Sequence, residues 1–132
     1  MKMTKEADCA MKIILYLSRL GKGNIADAKT ISEDEEIPIR FTLKIMRKLT
    51  KGELTKSYRG VNGGYTLNKN PRDITMKDVI ELIDGPIYIN RCLSEEDGCN
   101  NKTSQCSIKN ALKRAQYTLI YELERVNFRD LI

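Results

Sequence analysis

The stretch of sequence that decides the fold is PIRFTLKIMRKLTKGELTKSYRGVNGGYTL, residues 38–67. Its first part predicts a helix over 39–51, because apolar residues recur there at the spacing of one helix face and Pro38 suits a first turn. Two short β-type runs follow, and Asn62-Gly63-Gly64 between them predicts a hairpin turn, since these residues tolerate positive φ. With a second helix expected just upstream, this order is typical of a winged helix-turn-helix.

The predicted helix over 39–51 also carries a basic face. Its members are spaced i, i+4, i+7, i+8 and i+11, with no glutamate among them to form i,i+4 pairs: Arg40, Lys44, Arg47, Lys48 and Lys51. Between Pro38 and Arg72 there are nine basic residues and one acid, Glu53, so this segment has a charge of +8 in a chain of net charge +5. Such an excess predicts a polyanionic partner such as double-stranded DNA, with a solvated lysine-rich face as the alternative from charge alone.

The DNA-binding surface is predicted to combine this basic helix with the hairpin, which we call the wing. Arg59 is expected at the base of the wing, where a guanidinium reaches into a narrow minor groove. Taken alone, the hairpin implies no function. We predict that it binds DNA because it directly follows the basic helix. The predicted DNA-binding residues are Arg40, Thr42, Lys44, Arg47, Lys48, Lys51, Arg59, Gly60 and Asn62.

Capping residues and apolar periodicity predict the other helices. We expect them over 4–20 behind Thr4, over 28–36 behind Asp27, over 76–83 behind a capping box of Thr75 and Asp78, and from a cap at Ser107 onward. In the last helix, apolar residues recur at near-heptad steps. That seam fits either packing back on the domain or pairing with a second chain, and after a small domain we expect pairing.

The predicted fold is therefore mainly α with a small β-hairpin. It consists of a winged helix-turn-helix domain over 1–85, a cysteine-rich loop over 86–106, and a long C-terminal dimerisation helix with its tail over 107–132. No apolar run approaches the roughly 18–20 residues that span a bilayer, and no signal peptide is recognised, so we expect a cytoplasmic protein without membrane contact. The chain has no histidine and no credible nucleophile–base set, so no catalysis is predicted.

Three cysteines, Cys92, Cys99 and Cys106, stand at a spacing of C-x6-C-x6-C in a polar segment. Soft thiolates favour zinc, copper(I) and iron–sulfur clusters. Structural zinc sites usually have tighter spacing and four Cys or His ligands, so zinc would need Cys9 or a carboxylate as its fourth ligand. From spacing alone a cluster, zinc and unligated thiols all stay open. Cys9 itself is expected in the core.

The motifs together resemble a known family. Met-x-Met-Thr-Lys at the start, Arg-Gly-x-x-Gly-Gly-Tyr-x-Leu at 59–67, and three cysteines before a terminal helix are similar to the IscR/NsrR-type family of bacterial transcription regulators. The resemblance extends over essentially the whole chain. It implies a dimeric winged-helix protein that binds palindromic operators. Many members hold a 2Fe–2S or 4Fe–4S cluster on the three cysteines and use its presence, loss or redox state to alter DNA binding, so the resemblance implies operator binding controlled by such a cluster.

Carried over by position, the resemblance makes Cys92, Cys99 and Cys106 the cluster ligands. It directs the start of the basic helix, with Arg40 and Lys44 at base-reading positions, into the major groove. IscR proper has a histidine three residues after its last cysteine, where this chain has Lys109. NsrR-type members instead use an N-terminal aspartate of the other subunit, and Asp8 stands at the matching place, so 4Fe–4S is favoured over 2Fe–2S.

Two points qualify the resemblance. Family spacing between the cysteines is typically five, and here it is six. Without the family, Asp8 would be assigned a surface ion pair with Lys12 at i+4. The resemblance also brings the N-terminal helix into the dimer contact. The alternatives are a cluster-free regulator that responds to thiol oxidation or a partner protein, a zinc-binding regulator, and an electron-transfer protein, which would leave the basic segment unexplained.

Overall fold

Helices dominate the structure, a computed structural model that describes residues 2–94 and 106–132. The single sheet of these residues is the two-stranded hairpin. In chain order the elements are α1 Lys5–Leu20, α2 Ala28–Glu35, α3 Ile39–Lys51, β1 Thr55–Tyr58, β2 Gly64–Leu67, α4 Met76–Asp84, α5 Ser107–Arg125 and α6 Phe128–Leu131, with short 3-10 turns at Pro71–Asp73 and Arg91–Leu93. The predicted fold, a helix-turn-helix with a hairpin wing, is confirmed.

The first helices begin at the predicted caps. Thr4 Oγ1 accepts a hydrogen bond from the N–H of Ala7 at 3.1 Å. Asp27 accepts one from the N–H of Thr30 at 2.7 Å, and this bond lowers the pKa of the Asp27 carboxyl. Thr75 opens α4 with the expected capping box. These side chains satisfy N–H groups that a helix start leaves without partners, so local sequence determines where the helices begin.

A core between α1, α3 and α4 fixes the helix-turn-helix. α1 contributes its continuous apolar face and α3 its Ile45, Met46 and Leu49, all fully buried. Cys9 is 5% exposed within this core, as predicted. Burial and the neighbouring carboxylate of Asp8 raise the pKa of the Cys9 thiol, so it stays protonated and apolar.

The C-terminal tail returns to this core, which the predicted division of the chain did not anticipate. Phe128, the first residue of α6, is 1% exposed and packs within the core of the N-terminal helices. The N–H of Phe128 donates to the carbonyl of Ile74, and the N–H of Met76 donates to that of Val126, each at 3.0 Å. The last helical turn, α6, is therefore part of the same core as the N-terminal helices.

The wing is a four-residue ladder that pairs Thr55 with Leu67 and Tyr58 with Gly64. The connection spans 59–63, and Gly64, predicted in the turn, is instead the first residue of β2. Gly60 has φ +103°, a conformation that favours glycine. Tyr65 exchanges two backbone hydrogen bonds with Ala26, which ties the wing to the connection between α1 and α2.

The long helix α5 is different in character. It has no buried residue, and the apolar side chains of Ile108 and Tyr117 are 71% and 75% exposed. Its N-cap is Cys106 instead of the predicted Ser107, because the sulfur accepts the N–H of Lys109 at 3.5 Å. Across residues 2–94 and 106–132, no helix has the length and apolar character needed to cross a membrane.

Candidate nucleic-acid interface and cysteine loop

The geometry of the helix-turn-helix follows from a tight turn between α2 and α3. Glu36 adopts a left-handed conformation, with φ 54° and ψ 44°, and ends α2. The N–H of Ile37 then donates to the carbonyl of Ser32 at 3.0 Å. Pro38 follows as the N-cap residue of α3, one position before its predicted place in the first turn. This turn projects the start of α3 away from the core.

One face of α3 is buried and the other is basic. Arg40, Lys44, Arg47 and Lys51 are exposed, and Lys48 is half-buried. Thr42, by contrast, is fully buried, and its hydroxyl donates to the carbonyl of Pro38 at 3.2 Å. The prediction of Thr42 as a DNA contact is therefore wrong. Its spacing from Met46 and Leu49 already put it on the apolar face, a signal that helical periodicity contains.

The sequence of α3 alone suggested a basic face without acidic neighbours, but the structure brings one carboxylate to it. Glu6, in the first turn of α1, lies beside it with Oε1 2.7 Å from Lys48 Nζ and Oε2 3.8 Å from Lys44 Nζ. The Glu6 side chain is only 16% exposed. Sequence reasoning missed this contact because the partners are about forty residues apart and no local spacing joins them. Two of the predicted DNA-binding lysines therefore already have a carboxylate partner.

The wing presents its predicted residues to solvent. Arg59, Gly60 and Asn62 are all exposed, and Val61 at the tip is completely exposed. A groove runs between α3 and the wing, lined by Arg47 and Lys51 from the helix and by Ser57 and Tyr65 from the strands. Basic helix and wing thus form one continuous surface that suits a phosphate backbone.

The two described cysteines of the loop lie on either side of the segment 95–105. Cys92 sits in the turn Arg91–Leu93, where the Asn90 amide donates to its sulfur at 3.4 Å. Cys106 caps α5. Both thiols are free and partly exposed. Each sulfur therefore accepts a hydrogen bond from an N–H group, the kind of contact that tunes thiolate ligands. Cys99 lies outside the described residues.

Asp8, the predicted fourth ligand, occupies the first turn of α1. Its carboxylate lies 3.1 Å from Lys12 Nζ, and its side chain is 48% exposed. This hydrogen bond raises the pKa of Lys12. Within residues 2–94 and 106–132, no three His, Cys, Asp or Glu side chains are gathered to hold a metal ion. The ion pair expected from helical spacing is confirmed, and the ligand role stays a prediction.

The root of the cysteine loop is fixed to two helices. Asp84, the last residue of α4, accepts a hydrogen bond from the N–H of Thr4 at 3.2 Å and another from the Thr4 hydroxyl. Further on, the side-chain oxygen of Gln116 in α5 accepts the N–H of Ile89 at 2.9 Å. The loop therefore begins from a rigid base that also holds the N-terminus of α1.

A helix-turn-helix with an exposed basic helix and an adjoining wing defines the class: a DNA-binding transcription regulator of the winged-helix type. The chain belongs to the Rrf2 family, described as iron-dependent transcriptional regulators, whose profile matches residues 3–132. This membership confirms the family resemblance and places the chain among regulators rather than enzymes.

Individual relatives agree with this assignment. The HTH-type transcriptional regulator NsrR of Shouchella clausii is 24% identical over 132 residues, which are 100% of this chain and 89% of the relative. The fold of CymR, the global cysteine regulator of B. subtilis, matches with a TM-score of 0.82 at 22% identity, covering 99% of this chain and 95% of CymR. T. potens IscR matches with a TM-score of 0.78 at 21% identity, covering 99% and 85%.

Proposed function

We propose that this regulator binds its operator under the control of an iron–sulfur cluster held by Cys92, Cys99 and Cys106. The observation that carries the proposal is the state of the two described thiols. Both are free, both are accessible, and each already accepts an N–H hydrogen bond at the edge of the segment that contains Cys99. The family description as iron-dependent regulators supports the same assignment.

The donor set fits such a group. Cysteine thiolates are the usual ligands of iron–sulfur clusters, and a non-thiolate group can take the place of a thiolate. The chain has no histidine to fill it. Asp8 is half-exposed and held only by a surface ion pair with Lys12, so its carboxylate is available to a second subunit at little cost. We therefore assign it as the fourth ligand, donated across a dimer, and favour 4Fe–4S over 2Fe–2S.

The homodimer is proposed to form along α5. The apolar seam of α5 (Leu112, Leu119 and Leu123) is partly buried beside α4. The aromatic rings of Tyr117 and Tyr121 extend into solvent from the opposite side of the helix. Aromatic side chains supply much of the energy of protein interfaces. A two-fold dimer presents two copies of α3, and such an arrangement reads a palindromic operator with one half-site for each subunit.

On the operator, the start of α3 is proposed to enter the major groove and Arg59 the adjoining minor groove. Arg40 and Lys44 lie near the base edges in this arrangement, while Arg47 and Lys51 face phosphates beside the wing. The bound cluster would supply a redox-active, chemically labile centre. In the cluster-bound state Asp8 would be a ligand, and in the cluster-free state it is the partner of Lys12. This difference would couple the cluster site to the DNA-binding surface.

Anaerobic purification tests this proposal directly. We expect a brown protein whose visible absorbance is lost in Cys92→Ala and retained in Cys9→Ala, because Cys9 is buried in the core. An Asp8→Ala variant should keep colour but change its Mössbauer spectrum at one iron. A colourless protein that carries stoichiometric zinc would refute the cluster.

A cluster-free thiol regulator is the second candidate. It is favoured by the fold match to a global cysteine regulator and by the accessible thiols of Cys92 and Cys106. Such a protein would bind operator DNA equally with and without iron, and peroxide would change its affinity. Gel-shift titrations of iron-loaded, iron-free and oxidised samples separate the two candidates.

A further inference from the structure

Glu6 is the one acidic side chain in ion-pair contact with the basic face of α3 among the residues the structure describes. Its Oε1 is fully enclosed and accepts no hydrogen bond of good geometry within those residues. The negative charge is therefore balanced by the ammonium groups of Lys48 at 2.7 Å and Lys44 at 3.8 Å. A carboxylate taken out of water needs such partners.

The position of Glu6 is fixed by the start of α1. Thr4 caps the helix two residues earlier, and Asp84 in turn holds both the N–H and the hydroxyl of Thr4. The core residue Ala7 follows directly and is fully buried. Glu6 cannot leave the basic face by a simple loop movement, because its backbone is anchored on both sides.

DNA phosphates would compete for the same two lysines. Lys44 is exposed and Lys48 half-buried on the face that the class of protein turns toward DNA. Glu6 cancels one of the two positive charges of Lys44 and Lys48, so the pair releases fewer counterions on DNA binding than two free lysines would. Arg40, Arg47 and Lys51 have no such contact with Glu6.

We infer that Glu6 sets the affinity of operator binding by acting as an intramolecular counter-charge to the recognition helix. It cancels part of the positive charge of Lys44, near the base edges, and of Lys48 beside it, and so weakens the sequence-independent electrostatic attraction between α3 and DNA. The inference rests on the placement of α3 against DNA in the proposed function. It assigns to α1 a second role besides dimer contact, since the turn that carries Asp8 also carries Glu6.

The test is Glu6→Gln in the full-length protein, with binding to a random-sequence DNA duplex measured over a range of salt concentrations. Removal of one negative charge should steepen the slope of log K against log salt by about 0.9, the contribution of one phosphate contact. We expect binding about tenfold tighter at low salt. Glu33→Gln is the matched control, because it removes the same charge from an exposed site on α2.

A double-substitution cycle makes the inference specific. In a Lys44→Met, Lys48→Met background, Glu6→Gln should no longer change the slope, and circular dichroism with thermal melting confirms that each variant is folded. Equal slopes for Glu6→Gln and Glu33→Gln, or weaker binding by Glu6→Gln, would overturn the inference. If no duplex binding is found in the wild type at any salt, the proposed function itself fails, which is a distinguishable result.

Discussion

The helices α3 and α5 have the same kind of periodicity but different surroundings. In α3 the apolar face is closed within the chain, and Ile45, Met46 and Leu49 are fully buried. In α5 the leucines of the apolar seam are only partly buried, and Ile108 on the seam and Tyr117 on the opposite side are largely exposed. A helix whose apolar face is buried within its own chain can bind a ligand with its polar face. A helix with exposed apolar side chains is typical of an interface with a second chain. The proposed DNA contact and the proposed dimer contact are thus divided between the two helices.

The largest expected effect concerns the closed face of α3. Leu49→Ala should lower the free energy of unfolding by about 2–5 kcal/mol, since it leaves a cavity in a fully packed site. Urea unfolding followed by circular dichroism measures this change. Leu119→Ala, at the partly buried seam of α5, is the counterpart and should cost less. Equal losses of unfolding free energy for the two variants, measured in dilute protein, would remove the contrast between the helices.

The next effect concerns the exposed side of α5 that carries Tyr117 and Tyr121. Tyr117→Ala should weaken the proposed dimer by about 2 kcal/mol or more, close to thirtyfold in the dissociation constant, because interface tyrosines are frequent hot spots. Sedimentation equilibrium at several concentrations measures it. Lys22→Ala, in the exposed connection after α1, serves as the control. An unchanged dissociation constant would exclude this face of α5 from the interface.

A smaller effect is expected at the wing, which extends the DNA surface of α3. Arg59→Ala should weaken operator binding by about 1–3 kcal/mol at fixed salt, through loss of a groove contact. Fluorescence anisotropy with a labelled operator measures the change. Lys69→Ala, an exposed basic residue after β2, controls for loss of charge alone. Affinity equal to that of the wild type would restrict DNA contact to α3.

The smallest effect is expected for the surface ion pair of α1. Lys12→Met should change the free energy of unfolding of iron-free protein by less than about 0.5 kcal/mol, because both partners are half-exposed. In the proposed cluster-bound protein it should also leave the spectrum unchanged, since Lys12 only holds Asp8 when no iron does. Thermal melting and visible spectra measure both. A large loss of stability would mean that the ion pair holds Asp8 strongly within its own subunit, which would count against its role as a ligand for the partner.

Sequence predicted most of the fold because its signals are local. The caps at Thr4, Asp27 and Thr75 act within three residues, and apolar spacing determines which face of each helix is buried. The same logic placed the basic face and the wing. Family resemblance added the ligand roles of the cysteines and Asp8, which the described residues leave untested.

The remaining features arise from contacts between distant parts of the chain. Glu6 meets Lys48 only after α1 and α3 have packed, and Phe128 joins the core only after the chain has returned to Ile74. The cap at Cys106 was missed because serine is the commoner N-cap residue and a thiol is rarely considered for that place. The cap itself is a local contact of three residues, whereas the contacts of Glu6 and Phe128 join residues whose spacing in the sequence gives no signal.

The burial of Phe128 has a consequence for synthesis on the ribosome. A nascent chain cannot complete the core of its DNA-binding domain until Phe128 has emerged, because that side chain packs among helices made at the start of translation. The segment 86–106 is made earlier, so every finished DNA-binding domain already contains its three thiols. A truncated chain that folds these helices without the cysteine segment is therefore disfavoured by folding itself.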